Sequence, residues 1–233
     1  MNILITGASK GLGRELALKF ARQDSCKQFL LSRSEKLLKK LAKDCVAINS
    51  KAKINIIPYD FTRLIVENSD LDIDVPHLDI IINNAGLLIN KKFSELIVDE
   101  IVDMTSVNFI APVILLKNLS DRLGTKGITH VVNIGSMGGY QGSVKFPGLS
   151  IYSATKAAIA SFTECMAHEY ADTDVYVNCL ALGAVQTEML NEAFPGYKAP
   201  LSADEMAEFV YNFAVNGHKF FRGKILPVSV STP

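Results

Sequence analysis

Two hydrophobic patterns alternate along the chain. Short runs rich in Ile, Leu and Val, with little apolar-polar alternation, occur at "NILIT", "QFLLS", "INIIPYD", "LDIIINN", "THVVNIGS", "DVYVNCLA" and "KILPVSVS". Such runs suit strands buried on both faces, as in a parallel sheet covered by helices. Between them, apolar positions recur every three or four residues. A helix from Gly11 places Leu12, Leu16 and Phe20 on one stripe with Ala17 and Ala21 beside it. One from Ser34 turns Leu37, Leu38 and Leu41 inward and Lys36, Lys39, Lys40 and Lys43 to water. Ser202 followed by Glu205 reads as a capping box opening a helix that runs to about Asn216.

The repeated strand-helix order predicts a doubly wound α/β fold with right-handed crossovers. No repeat, low-complexity tract or long linker interrupts it, which predicts one domain over residues 1–233. The segment "FTRLIVENSDLDIDVPHL" departs from the pattern. It is short and weakly helical, so an irregular crossover is expected there.

Composition narrows the classes of function. Lys plus Arg equals Asp plus Glu at 24 each, which leaves no basic excess to attract a phosphate backbone and argues against nucleic acid. Cys26, Cys45, Cys165 and Cys179 form no Cys-x-x-Cys or Cys/His cluster, so no metal site is written here and buried free thiols are expected. His77, His130, His168 and His218 show no spacing that suggests a metal or a triad, and are expected at the surface or in loops. "MNILITG" enters a strand at once, and no apolar run approaches the roughly 20 residues that span a bilayer. A cytoplasmic protein without membrane contact is the expectation.

Chemistry is suggested first by "TGASKGLG", which follows the first strand and opens the first helix. Gly7 can turn the chain, Gly11 lets backbone approach a ligand, and Gly13 lets helix and strand pack closely. A helix N-terminus there offers unpaired N–H groups to a pyrophosphate. A tight turn without ligand is the alternative. At the end of the second strand, "FLLSRS" supplies Ser32 and Arg33 but no acid to bind a ribose 2′-hydroxyl, and Lys10 adds a second cation. That pattern favours the 2′-phosphate of NADP(H) over NAD. Farther on, "YSATK" places Tyr152 and Lys156 on one helix face, about 6 Å apart along the axis. Taken alone, this pair reads first as a polar turn of an amphipathic helix, and only second as a catalytic acid with its tuning cation.

In order along the chain, "TGASKGLG", "NNAG" at 83–86, "VN" at 107–108, "IGS" at 134–136 and "YSATK" resemble the motifs of the short-chain dehydrogenase/reductase family. The match spans nearly the whole chain. It implies a Rossmann-type seven-stranded parallel sheet and a catalytic set of Asn108, Ser136, Tyr152 and Lys156. Cofactor contacts are implied for Gly7, Ser9, Lys10, Gly11, Leu12, Gly13, Ser32, Arg33, Asp60, Phe61, Asn84, Ala85, Gly86, Tyr152, Lys156, Val185 and Thr187. Asp60 would accept from the adenine amino group, and Thr187 would hold the nicotinamide amide. A homodimer or homotetramer is implied as well.

The reaction follows from the groups. Reducing a carbonyl requires a hydride and a proton on the oxygen, so an acid must lie within about 3 Å of that oxygen. Tyrosine, with an ordinary pKa of about 10, needs neighbouring positive charge to exchange protons near neutrality. Lys156 would lower it and bind the nicotinamide ribose, Ser136 would orient the substrate oxygen, and Asn108 would hold a water linking Lys156 to solvent. The expected function is NADP(H)-dependent interconversion of a ketone or aldehyde and its alcohol. Two other readings stay open: a 3-oxoacyl-acyl-carrier-protein reductase, for which the acidic "TECMAHEYADTD" offers no basic dock, and a non-catalytic dinucleotide-binding sensor or scaffold.

Three departures from the family pattern carry expectations of their own. Fifteen residues separate Ser136 from Tyr152, more than is usual, so Met137, Tyr140 and Phe146 should line or cover the substrate site. Leu182 stands before Gly183 where the family usually has proline, which should free that turn and weaken the Thr187 contact. A brief lid over about 188–201 should close Leu190, Phe194 and Tyr197 over a compact substrate.

Overall fold

The computed structural model describes residues 1–63, 74–75 and 77–230. Strand β1 (Asn2–Thr6) leads into α1 (Gly11–Ala21), β2 (Lys27–Ser32) into α2 (Glu35–Ile48), and β3 (Lys53–Pro58) into a short 3-10 turn at Phe61–Arg63. Next come β4 (Ile80–Asn83), α3 (Val98–Thr105), a π-helical turn (Ser106–Ile110) and α4 (Ala111–Leu119). The chain ends with β5 (Thr129–Ser136), α5 (Ser150–Glu169), β6 (Val175–Leu182), α6 (Glu188–Ala193), α7 (Ala203–Asn216) and β7 (Ile225–Val228). The expected irregular crossover lies mostly outside the described residues.

All seven strands pair in parallel, in the order β3-β2-β1-β4-β5-β6-β7. The order reverses between β1 and β4, and in open α/β sheets such a switch point leaves a crevice beyond the carboxyl ends of the strands. A two-residue parallel pair, Val185–Gln186 with Leu201–Ser202, brackets α6.

Successive residues of the strands feed opposite cores, as the pleat requires. Ile3 and Ile5 pack with Leu16 and Phe20 of α1 and Val210 of α7, whereas Leu4 packs with Ile81, Leu115 of α4 and Val177. Each fully buried side chain of this size stabilises the fold by about 1.5–3 kcal/mol. The expected stripes hold: Leu12, Leu16, Phe20, Ala17 and Ala21 are buried, and Lys36, Lys39, Lys40 and Lys43 are exposed. Ser202 and Glu205 form the reciprocal capping box at the start of α7.

Three expectations need correction. His130 lies inside β5 at 1% exposure rather than at the surface. Its Nδ1 donates to the Ala214 carbonyl at 2.9 Å and its Nε2 accepts from Asn178 Nδ2 at 3.1 Å, so a neutral imidazole is satisfied without water. Among the cysteines, Cys165 on α5 is exposed while the other three are buried. Leu182 does not free its turn: it ends β6, paired with Ser136 of β5 on one side and Val228 of β7 on the other. A residue with an N–H can continue the ladder where proline could not, and the next residue, Gly183, donates to the Val228 carbonyl at 2.9 Å.

Candidate active site

At the carboxyl end of β1 the chain turns through Gly7 with φ +67°, a conformation that side chains resist. A Cβ there would also lie 2.8 Å from Ala85 Cα, so the glycine loop and the end of β4 touch backbone to backbone. Thr6 fastens the contact: its Oγ1 accepts from the N–H groups of Asn84 at 3.1 Å and Ala85 at 3.0 Å. Asn84 Nδ2 donates to the carbonyls of Thr6 at 3.0 Å and Gly7 at 3.3 Å. Gly13 allows α1 to press on this loop, since a Cβ would collide with the Gly7 carbonyl. No side chain caps the N-terminus of α1 at Lys10. Its first N–H groups are therefore available to an anion, as a phosphate site requires.

The neighbouring corner is drawn in by Ser9, whose Oγ lies 2.7 Å from Ser32 Oγ. Exposed Lys10 and Arg33 stand beside these two serines in sequence, on the same corner. Asp60 Oδ1 accepts from the Thr62 N–H at 3.1 Å and from its hydroxyl at 2.9 Å, an Asx turn that fixes the carboxylate at the end of β3. At the expected contacts Leu12, Phe61 and Val185 the side chains are buried in the two cores. The set fits a dinucleotide, with an uncapped helix end for phosphate and cations where an acid would select against a 2′-phosphate.

The four candidate catalytic residues converge from three elements. Ser136 ends β5, Tyr152 and Lys156 lie one turn apart on α5, and Asn108 lies in the π-helical turn. The Ser136 hydroxyl sits near enough to the Tyr152 phenol to favour its ionised form. Lys156 is 5% exposed, and its Nζ donates to the Ile134 carbonyl at 2.8 Å and lies 5.9 Å from the centre of the Tyr152 ring. Burial pushes the ammonium down to about 8, with the Cys179 thiol opposing slightly. Desolvation likewise raises the Tyr152 phenol, and the Ser136 hydroxyl offsets part of that rise. The ammonium itself is turned to the Ile134 carbonyl and lies beside the Tyr152 ring.

Asn108 is fully engaged as a brace. Its Oδ1 accepts from the Leu87 N–H at 2.8 Å, and its Nδ2 donates to the Leu87 carbonyl at 2.9 Å and to Thr155 Oγ1 at 3.0 Å. Both N–H groups of its amide are thus spent within the protein. Pro112, near the start of α4, has no N–H to give the Asn108 main-chain carbonyl in an α-helical register. Asn108 Oδ1 and Lys156 Nζ both flank Gly86, at 3.5 and 3.7 Å from where its Cβ would be. Pro112 and Thr155 escaped the sequence reading, although Thr155 lies inside the quoted "YSATK".

Comparison with known proteins places this arrangement. A family profile described as short chain dehydrogenase matches residues 1–198. The chain belongs to the short-chain dehydrogenase family. A Drosophila melanogaster dehydrogenase/reductase SDR family protein 7-like is 30% identical over 206 residues, covering 83% of this chain and 60% of that protein. An NADP-dependent 3-hydroxy acid dehydrogenase of Schizosaccharomyces pombe is 28% identical over 224 residues, covering 89% and 84%. A short-chain dehydrogenase structure from Shigella flexneri, complexed with NADP, is 26% identical with a TM-score of 0.81, covering 97% of this chain and 95% of that one.

Within this family frame the departures acquire physical form. The long loop after Ser136 folds on itself: Ser143 Oγ donates to the carbonyls of Met137 and Tyr140, and Lys145 Nζ donates to the Tyr140 carbonyl at 2.7 Å. Met137 is buried, Tyr140 half-buried and Phe146 exposed, so the three do not form one wall. In the lid, Thr187 spends its hydroxyl as the N-cap of α6, accepting from the Leu190 N–H at 3.3 Å, while its methyl lies against Gly11. Met189, which the sequence gave no reason to single out, reaches to 3.6 Å from the Cβ direction of Gly86. Tyr197, expected to close the pocket, is 49% exposed. No described helix is long and apolar enough to cross a membrane, and no metal-binding cluster occurs among the described residues.

Proposed function

We propose that the protein is an NADP(H)-dependent oxidoreductase that interconverts a small ketone or aldehyde and its alcohol, with Tyr152 moving the proton. The observation that carries this reading is the convergence of Tyr152, Ser136 and a buried Lys156, whose ammonium lies under the Tyr152 ring and beside Gly86. The bound nicotinamide would supply or accept the hydride. Ser136 and Tyr152, already near each other, can both meet one carbonyl oxygen and fix its orientation. Burial keeps Tyr152 in its phenol form, the proton donor that reduction needs. Alcohol oxidation needs the phenolate, which the Ser136 hydroxyl and the Lys156 charge favour. Reprotonation of the phenol would run through Lys156, whose Nζ stands beside its ring.

Arg33, Lys10 and the serine pair support NADP(H) over NAD(H). The test is a panel of ketones and aldehydes offered with NADPH or NADH, read as cofactor oxidation. Turnover of at least one carbonyl, faster with NADPH, is expected. Tight NADPH binding without turnover of any carbonyl would instead identify the dinucleotide sensor.

A further inference from the structure

Two asparagines and a threonine beneath the candidate active site are used by none of these steps. Asn83 is the first residue of "NNAG", Asn133 lies in "VVNIGS", and Thr163 is on α5. Their exposures are 6%, 0% and 0%. Asn83 Nδ2 donates to Asn133 Oδ1 at 2.7 Å, Asn133 Nδ2 donates to Thr163 Oγ1 at 2.8 Å, and Thr163 donates to the Ile159 carbonyl at 2.8 Å. Asn83 Oδ1 is buried with no hydrogen-bond partner among the described residues. The ladder thus crosses from β4 through β5 to α5, the three elements that carry Gly86, Ser136, and Tyr152 with Lys156.

We propose that Asn83, Asn133 and Thr163 are positioning residues that set the height of Lys156 against the strand bearing Ser136. The inference rests on the oxidoreductase reading. Thr163 is seven residues beyond Lys156, two helical turns and about 10 Å along the same face of α5. Asn133 immediately precedes Ile134, whose carbonyl receives the Lys156 ammonium. Helix α5 is therefore fixed to β5 at two heights, through Thr163–Asn133 and through Lys156–Ile134. The second tie is not durable, because an ammonium that serves the reaction must be able to leave Ile134. When it does, the Thr163–Asn133 bond keeps the height, and Thr155–Asn108 supports the upper turn. Cys179 of β6 lies close to both parts, Thr163 and Lys156.

A purely architectural ladder would place its groups anywhere along α5. This one occupies the register of the lysine, on the strand segment that holds it. A displacement of about 1 Å at a reacting group can cost a hundredfold in rate, so a loosened helix would be felt in catalysis before it is felt in folding.

Thr163→Val keeps the shape and removes the hydroxyl, whereas Thr163→Ser keeps the hydroxyl. With Thr163→Val, kcat is expected to fall by about tenfold with KM for NADPH within about twofold. Thr163→Ser should restore kcat. The second readout uses the protein without cofactor: the Lys156 13Cε resonance is followed against pH, with Tyr152 and Cys179 the titratable groups that face the ammonium. Thr163→Val should raise its midpoint as the helix loosens and the ammonium gains solvent. Wild-type kcat and an unmoved midpoint in Thr163→Val, with only a lowered Tm, would overturn the proposal. If Thr163→Val does not fold, Asn83→Ala is read the same way, since its amide oxygen already lacks a partner. Should the wild type reduce no carbonyl, the functional reading fails by itself, and the titration still decides the ladder.

Discussion

Strand β5 has a titratable side chain buried at each end. At its start lies His130, pushed down to about 4 by burial; beside its end lies Lys156, pushed down to about 8 by the same cause. Desolvation is therefore not what separates a working site from a structural one. The partners separate them. Both ring nitrogens of His130 have a protein partner, and the ring is enclosed by Phe213 and His218. Lys156 has a single hydrogen bond, to a main-chain carbonyl, and stands beside Gly86, whose missing side chain keeps the approach open. One end closes around a neutral group; the other holds a charge that is only loosely committed.

The largest effect that would break this contrast concerns catalysis at the open end. Tyr152→Phe removes the proton donor and leaves the ring, so kcat should fall by about 100- to 10,000-fold with Tm nearly unchanged. A variant at the closed end should do the reverse. His130→Leu leaves the Ala214 carbonyl and the Asn178 amide without their buried partner, costing about 2–4 kcal/mol, while kcat measured well below Tm stays at the wild-type value. Loss of kcat in the folded His130→Leu protein would show that the two ends are coupled.

The two groups also differ in how stability follows pH. His130 binds its proton near 6.5 when unfolded and near 4 when folded. The unfolded state therefore binds more protons in that window, and stability should fall by about 3 kcal/mol as pH drops from 6.5 to 4. His218, also lowered by burial, adds in the same direction. Lys156 titrates near 10.5 unfolded and about 8 folded. Its buried ammonium burdens the fold below pH 8, and the burden is relieved as pH rises through 8 to 10.5. Lys156→Met should accordingly raise stability at pH 7 by about 1–3 kcal/mol, the lost bond to Ile134 reducing the gain, while abolishing turnover. Urea unfolding at pH 7 and pH 10.5 checks this, and an equal difference at both values would refute the charge argument.

These two ends were not equally legible in the sequence. The strand-helix order, the glycine turn and the Tyr152–Lys156 spacing are local patterns, and they pointed to a doubly wound parallel sheet and to the candidate site beside the upper end of β5. His130 has partners 48 and 84 residues away, and the apolar run around it offers no periodic signal that a polar ring is satisfied inside. Asn133 and Thr163 were hidden for the same reason. At Leu182 the difficulty was physical rather than positional. The loss of proline predicted a freer turn, but the regained N–H lets β6 extend between β5 and β7. Thr187 carried a ligand role by resemblance, and nothing in the sequence signalled that its hydroxyl also accepts from Leu190 as the cap of α6.

The smallest expected effect lies at Arg33, on the same carboxyl side of the sheet as Lys156 but in solvent. A cation in water contributes little, because the high dielectric and mobile ions screen it and its side chain must be ordered to act. Its guanidinium nevertheless matches a phosphate in two-point geometry that lysine does not provide. Arg33→Ala should weaken NADPH binding by about three- to tenfold and leave NADH binding unchanged, because only the former presents a 2′-phosphate. The loss should shrink as salt rises from 50 to about 500 mM, whereas the effect of Lys156→Met should not, since salt does not reach a side chain buried to this degree. Equal losses for both dinucleotides in Arg33→Ala would mean that the arginine shapes the loop rather than reads the phosphate. Cofactor selection would then rest on Lys10 and the Ser9–Ser32 pair, and a Lys10→Ala comparison would carry the salt dependence instead.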